Sequence, residues 1–342
     1  MPMTQDAPRP PLSLVADVGG TNTRVALADG PELRAGSVER FPNREFDSLG
    51  TVLRTYLGRH GTPNCDAACA AIAGPVDAGT GRLTNLDWSI DLDGLAEAAQ
   101  AETVDVLNDL QAQGHGVIHV PGERLRQVLP GAPETERWQA PAQAPKIVIG
   151  VGTGFNIAPI YPQGDRTLVT ASEAGHSSLP VSDADGLSLS RYVAHTHGFA
   201  DIEEVLSGRG VENIYAWVTG TPPGAPAPLS AAEILQGFEQ HRTPETLKAA
   251  QVFAAMLGAV AGDLALTHLP YGGIYFSGGV ARAFAPYLHE LGFQDSFAAK
   301  GRFSDLMRRF PVHVIEDDFA ALLGCAGHLC ERLGAQKASR LQ

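Results

Sequence analysis

Two stretches of this chain share one plan, and that plan limits what the chain can fold into. "LVADVGGTNTRVALAD" (Leu14–Asp29) and "IVIGVGTGFNIAPIY" (Ile147–Tyr161) each run from an apolar strand, through a glycine- and threonine-bearing turn, into a second apolar strand. One such hairpin has two readings. A β-turn needs glycine where φ is positive. A phosphate cradle needs glycine so that backbone N–H groups approach an anion, hydroxyls as further donors, and an acid to hold a cation. Two such hairpins in one chain favour the cradle, because they can face each other across a cleft and grip one polyphosphate from both sides.

The rest of the chain alternates strands with helices, which makes the class α/β. Apolar runs bounded by glycine predict strands at 12–18, 24–27, 67–73, 104–107, 147–151, 274–276 and 312–315. Apolar residues three and four apart predict helices at 46–59 and 187–194. A Thr-Pro-Glu start signal opens a long helix at 243–269, and a further helix over 319–333 is expected to stop at Gly334. The Pro- and Ala-rich stretches 130–145 and 219–228 read as surface excursions.

With 342 residues the chain is long enough for two domains. Its formal charge of −13 argues against nucleic acid or an anionic membrane as partner. A local set of donors can still bind ATP. No apolar run is expected to reach the length of a membrane span. The polar, proline-rich "MPMTQDAPRPP" lacks the apolar core of a signal peptide, so the cytoplasm is the expected location. The four cysteines fall in two pairs without zinc-site spacing. Buried reduced thiols are expected, with Cys65 and Cys69 on one face of a strand.

A third glycine motif, "GGIYFSGGVAR" (Gly272–Arg282), places Gly278 and Gly279 at a strand-to-helix corner where a flat ligand can approach. The three motifs, in this order, resemble those of the actin-like ATPase (ribonuclease H-like) fold of sugar kinases: first phosphate, second phosphate and adenosine. The ordered set "DVGGTNTR", "AIAGPV", "LTNLDW", "LNDLQAQ", "GVGTG", "SEAGH", "EEVLSGRG", "SGGV" and "LLGCAGHL" is similar to the motifs of the bacterial glucokinase family. The likeness covers the chain from about residue 12 to 334. The chain does not resemble the Cys-rich, zinc-bearing glucokinases. It also lacks the G-x-x-x-x-G-K-[ST] loop and the H-R-D loop.

The resemblance implies two α/β domains around a cleft: a small one over 12–118 that regains 319–334, and a large one over 119–318. It implies ATP-dependent phosphorylation of glucose at its 6-hydroxyl, with Asp109 as the general base, although Asn108 or Asp109 would also serve as a helix N-cap. It implies sugar contacts from Asn108, Asp109, Glu173, His176 and Glu203, where a charged helix face is the rival reading of Glu203. ATP would lie against Asp17, Gly19, Gly20, Thr21, Asn22, Gly152, Thr153, Gly154, Gly278 and Gly279, with Asp17 holding Mg²⁺ through water. "LTNLDW" would edge the sugar side. A homodimer is the family expectation.

The chain departs from the family at Phe155-Asn156, where Leu-Gly is usual, and at Ala174, where glycine is usual. Asn156 is therefore a candidate extra sugar contact. The rival readings are a kinase for another hexose, a silent sugar sensor, and an actin-like ATPase or chaperone. The last would not need Asn108, Glu173, His176 and Glu203 together. If Asp17 and the Gly19-Gly20 turn hold Mg²⁺–ATP, EDTA abolishes turnover and added Mg²⁺ restores it. Gly20→Val, whose Cβ blocks positive φ and close approach, weakens ATP binding and spares glucose binding. Titration of both ligands checks this, and metal-independent turnover would exclude it.

Overall fold

The computed structural model describes residues 9–83, 86–132 and 139–340. Its chain divides into two compact units, one running to Val120 and resuming at Asp317, the other running from Pro121 to Glu316.

In the first unit, β1 (Leu12–Val18) and β2 (Asn22–Asp29) form the expected hairpin, paired from Leu12↔Asp29 to Val18↔Thr23. β3 (Glu32–Leu33) and β4 (Glu39–Pro42) pair with β2. On the other side, β5 (Ala67–Ile72) runs parallel to β1. β6 (Val76–Asp77), β7 (Thr80–Arg82) and β8 (Ser89–Ile90) make a small separate sheet. β9 (Thr103–Asn108) runs parallel to β5, so the order is β3-β2-β1-β5-β9.

β5 shows how this sheet is covered. Its side chains alternate, and both sets are buried. Ala68, Ala70 and Ile72 join a core with α1 (Leu49–Arg59) and α2 (Leu92–Ala99). Ala67, Cys69 and Ala71 join a core with α3 (Asp109–Gly116) and the C-terminal helix (Ala320–Arg340). α1 starts at Leu49 rather than Phe46, because the Ser48 hydroxyl accepts the Thr51 N–H at 3.3 Å and caps the helix there.

Small residues set the crossing of α3 and the C-terminal helix. A Cβ on Gly116 would lie 2.0 Å from the Ala320 carbonyl oxygen, and one on Gly324 would lie 1.7 Å from that of Ala112. The C-terminal helix also clamps β9. His328 Nε2 lies 2.7 Å from Asp105 Oδ2, Arg332 pairs with the same carboxylate, and Arg332 Nη1 donates to the Val104 carbonyl at 3.2 Å. The expected stop at Gly334 does not occur. The helix runs on to Arg340, since an exposed glycine costs only about 1 kcal/mol in a helix and needs a following turn to end it.

The second unit repeats the plan. β10 (Leu125–Leu129) lies at one edge. β11 (Lys146–Val151) and β12 (Phe155–Gln163) form the second glycine-threonine hairpin, extended by β13 (Arg166–Val169). β14 (Ile274–Ser277) runs parallel to β11, and β15 (Val312–Ile315) parallel to β14. In the order β10-β15-β14-β11-β12-β13 the hairpin is followed by the parallel strands β14 and β15, as in the first sheet, and β10 closes the edge antiparallel to β15. Its helices include α4 (Ala184–His197), α5 (Gly208–Val218), α6 (Ala231–Gln240), α7 (Pro244–His268) and α8 (Gly279–Phe284).

α7 starts as its sequence signal predicts, with Thr243 as cap and Pro244 in the first turn. It also corrects an expectation. An eighteen-residue window of this helix has a mean hydropathy of 1.6 and is long and apolar enough for a membrane span. Phe253, Ala254, Leu257 and Ala261 are instead packed in the unit's core with Ile149, Phe276 and Phe284.

The cysteines are free thiols, as expected; Cys65, Cys69 and Cys325 are buried and Cys330 is half-buried. Their pairing differs from the sequence reading. Cys65 precedes β5 and joins the α1–α2 core, whereas Cys69 faces the C-terminal helix, where Cys325 is its neighbour. "LTNLDW" is described only in part: Leu83 and Trp88 are buried, while Thr84 and Asn85 lie outside the described residues, as do 1–8 and part of 130–145.

Gly324→Ala forces α3 and the C-terminal helix apart and lowers stability by about 1–3 kcal/mol. Gly334→Ala, with nothing within 4 Å of its Cβ, raises stability by roughly 0.5–1 kcal/mol. Paired thermal melts check both signs.

Candidate active site

Strand register gathers the first set of functional residues. Val18 pairs with Ile72, and Ile72 pairs with Asn108, so β1, β5 and β9 end level. Ligands of α/β sheets bind at such carboxyl ends. Asp17 lies at the end of β1, and Asn108 and Asp109 at the junction of β9 and α3.

Asn108 is the helix cap. Its Oδ1 accepts the Leu110 N–H at 3.0 Å, and Gln111 Oε1 accepts the Asn108 N–H at 3.3 Å, which completes a capping box. Asn108 Nδ2 donates to the Gly74 carbonyl at 3.0 Å, tying in the "AIAGPV" turn. Beside this cap, Asp109 Oδ1 also accepts the Leu110 N–H, at 2.8 Å.

Burial, reinforced by the negative charge of Asp17, pushes the Asp109 carboxyl up to about 6. Burial also raises Asp17, against the opposing pull of Arg24, whose Nη1 lies 3.3 Å from Asp17 Oδ2. Two neighbouring carboxylates, Asp17 raised by burial and Asp109 by burial and by the charge of Asp17, suit a divalent cation. Among the described residues no group of three or more His, Cys, Asp or Glu is placed to hold a metal.

The β1–β2 tip spans Gly19 to Asn22. Neither Gly19 nor Gly20 has a positive φ, so the tip does not use glycine's left-handed freedom. Close approach remains as a reason for glycine there. A residue with no sequence signal fixes the tip. Asn43 is 1% exposed; its Nδ2 donates to the Gly19 carbonyl at 2.7 Å, its N–H donates to the Thr21 carbonyl at 2.9 Å, and its Oδ1 accepts the Thr23 hydroxyl at 2.8 Å. Thr21 is exposed, with its hydroxyl available as a donor.

In the second unit the β11–β12 tip exposes Thr153 and is tied to the loops around it. The Gly152 carbonyl accepts the Gly208 N–H at 2.8 Å, and the Phe155 N–H donates to Glu203 Oε2 at 2.9 Å. Gly154 makes room for that carboxylate, since a Cβ there would lie 2.6 Å from Glu203 Oε2. Gly278 has φ +103, and its Cβ would lie 2.4 Å from the Val151 carbonyl oxygen. Glycine is obligatory at 278 on both counts, and Gly279 opens α8 beside it.

Asn156 is fully partnered within the protein. Its Oδ1 accepts the Ile157 N–H at 2.8 Å and the Ala174 N–H at 3.1 Å; its Nδ2 donates to the Ser172 carbonyl and lies 3.2 Å from Glu173 Oε2. Asn156 thus pins the "SEAGH" loop. Gly175 there serves close approach to the Phe155 backbone, since its Cβ would lie 2.0 Å from the Phe155 oxygen. Glu173 and His176 project outward from this loop. Asp201, which the sequence reading missed, holds His176 Nδ1 at 3.2 Å and raises its pKa, with Glu203 and Glu173 adding to the rise. An aspartate two residues before "EEVLSGRG" carries no pattern of its own.

The chain is similar to known proteins over nearly its whole length. The family model described as Glucokinase matches residues 14–332. A glucokinase of Cupriavidus metallidurans is 32% identical over 327 residues, covering 94% of each chain. One of Nitrobacter hamburgensis is 35% identical over 320 residues, covering 92% of this chain and 96% of its own. The crystal structure of a glucokinase from an Antarctic psychrotroph superposes with a TM-score of 0.80 at 29% identity, covering 92% of this chain and 98% of that one.

The raised Asp109 has a consequence for stability. Between its ordinary value of 3.8 and about 6, the folded chain keeps a proton that the unfolded chain has released. Stability from this group therefore falls as pH rises through that window and stays lower above it. Asp109→Asn does not titrate, so it should melt above the wild type from pH 6 upward, by at most about 3 kcal/mol. The difference should vanish near pH 4. Melts across that range check the sign.

Proposed function

The chain belongs to the glucokinase family, and on that premise we propose that it transfers the γ-phosphoryl group of ATP to the 6-hydroxyl of D-glucose. The observation that carries the reading is Asp109: a carboxylate in the first turn of α3, just past the end of β9, beside the Asn108 cap and raised by burial to about 6. At neutral pH it is ionised yet basic enough to take the hydroxyl proton, which is the match a general base needs.

The transfer itself needs alignment and charge stabilisation more than covalent chemistry. We assign the phosphates to the two hairpin tips, with Gly19, Gly20, Thr21 and Asn22 on one and Gly152, Thr153 and Gly154 on the other, and the adenosine to Gly278 and Gly279. Asn43 keeps the first tip in shape. The sugar contacts are Asn108 and Asp109 in the first unit and Glu173, His176 and Glu203 in the second. Asn156, its amide already engaged, serves the sugar by holding Glu173. Mg²⁺, held near Asp17 through water, would offset phosphate charge. A cytoplasmic homodimer at the first step of glycolysis completes the reading and rests on the family resemblance.

A coupled assay over a panel of hexoses with ATP and Mg²⁺ tests it. Glucose should give the highest kcat/KM; a clear preference for another hexose assigns the same chemistry to that sugar, and no turnover of any leaves a sugar sensor. Asp109→Asn should lower kcat by about 10²- to 10⁴-fold while glucose still binds. Unaltered kcat in the folded variant would place the base elsewhere.

A further inference from the structure

Arg209 stands where a cation is disfavoured. It is the second residue of α5, in the first turn, where the helix carries partial positive charge. Two carboxylates account for it. Arg209 Nη2 lies 2.9 Å from Glu204 Oε1 and 3.2 Å from Glu203 Oε1.

The two acids differ in kind. Glu204 is 5% exposed and held from behind: Asn213 Nδ2 lies 3.0 Å from its Oε2 and 2.9 Å from its carbonyl oxygen. His197 Nε2 lies 3.9 Å from Glu204 Oε1. Glu204 is thus a fixed anchor for the guanidinium rather than part of a solvated face. Glu203 stays partly exposed, and each of its oxygens has one fixed donor: the Phe155 N–H on Oε2 and Arg209 on Oε1. A carboxylate offers about four lone-pair sites, so two remain. A glutamate with one donor could swing about its terminal torsion; with a donor on each oxygen it keeps one orientation.

We propose that Arg209, anchored by Glu204, is a positioning residue for sugar binding: it fixes the Glu203 carboxylate so that its two remaining acceptor sites meet two adjacent hydroxyls of the hexose. This rests on Glu203 as a sugar ligand. It deepens that reading by naming the residue that sets the carboxylate's orientation and the diol-like feature it recognises.

The test is a double-mutant cycle. Glucose KM, ATP KM, kcat and Tm are measured for the wild type, Arg209→Gln, Arg209→Lys, Glu203→Gln and the Glu203→Gln/Arg209→Gln pair. Arg209→Gln should raise glucose KM about three- to tenfold, the range expected for a partly exposed, charge-assisted contact. ATP KM and kcat should move less, and Arg209→Lys should recover part of the loss. In the Glu203→Gln background the second change should add nothing. If Arg209→Gln leaves Glu204 unpaired and fails to fold, the same measurement in a Glu204→Gln background replaces it. A glucose KM that ignores Arg209, or an equal rise in both backgrounds, overturns the proposal alone. A wild-type glucose KM in Glu203→Gln removes the sugar-ligand reading, and the proposal with it.

Discussion

Level strand ends govern the first unit. Because Val18, Ile72 and Asn108 pair in register across three parallel strands, the acid that follows β9 comes to the same edge as the acid that closes β1. A slip of one residue would turn each side chain to the other face. The register is secured from both sides of the sheet, since β5 buries alternate residues in two different cores. Bringing Asp17 and Asp109 together has an electrostatic cost, visible in the upward shift of Asp109, to which the charge of Asp17 adds. Rigid parts hold that arrangement: the Asn108 capping box, the Asn43 bonds to the tip, and the close crossing of α3 with the C-terminal helix.

What could be read from the sequence was what local chemistry dictates. Both hairpins, the strands at 12–18 and 312–315 and the start of α7 announced themselves through glycine, proline and apolar runs, because those signals act over a few residues. What could not be read depends on partners far along the chain. Asn43 looks like any loop asparagine until it meets Gly19 and Thr23. Asp201 has no pattern either, since its target sits on another loop, and Arg209, although inside "EEVLSGRG", gives no sign in sequence of which glutamate is buried to anchor it. Cys69 faces Cys325 rather than Cys65, for the same reason. Gly334 misled because glycine marks a helix end only where a turn follows.

The second unit shows a different economy of parts. Three nearby residues of the β11–β12 hairpin hold two segments: Gly152 receives Gly208 and Phe155 donates to Glu203, both in "EEVLSGRG", and Asn156 grips the Ser172–Ala174 segment. The loops carrying the assigned sugar residues are therefore fastened to the hairpin assigned to the phosphates. Gly154 and Gly175 are small because a carboxylate and a backbone oxygen occupy the space a side chain would need.

The C-terminal helix has a consequence for the order of assembly. Val15, Cys69 and Leu107 bury one face of the first sheet against Leu322, Cys325 and Leu329, residues that emerge from the ribosome after the whole second unit. That second unit is continuous in sequence and can close on its own during synthesis. The first sheet must wait with one apolar face uncovered until the last helix arrives. In the growing chain, that waiting face is the surface chaperones would shield.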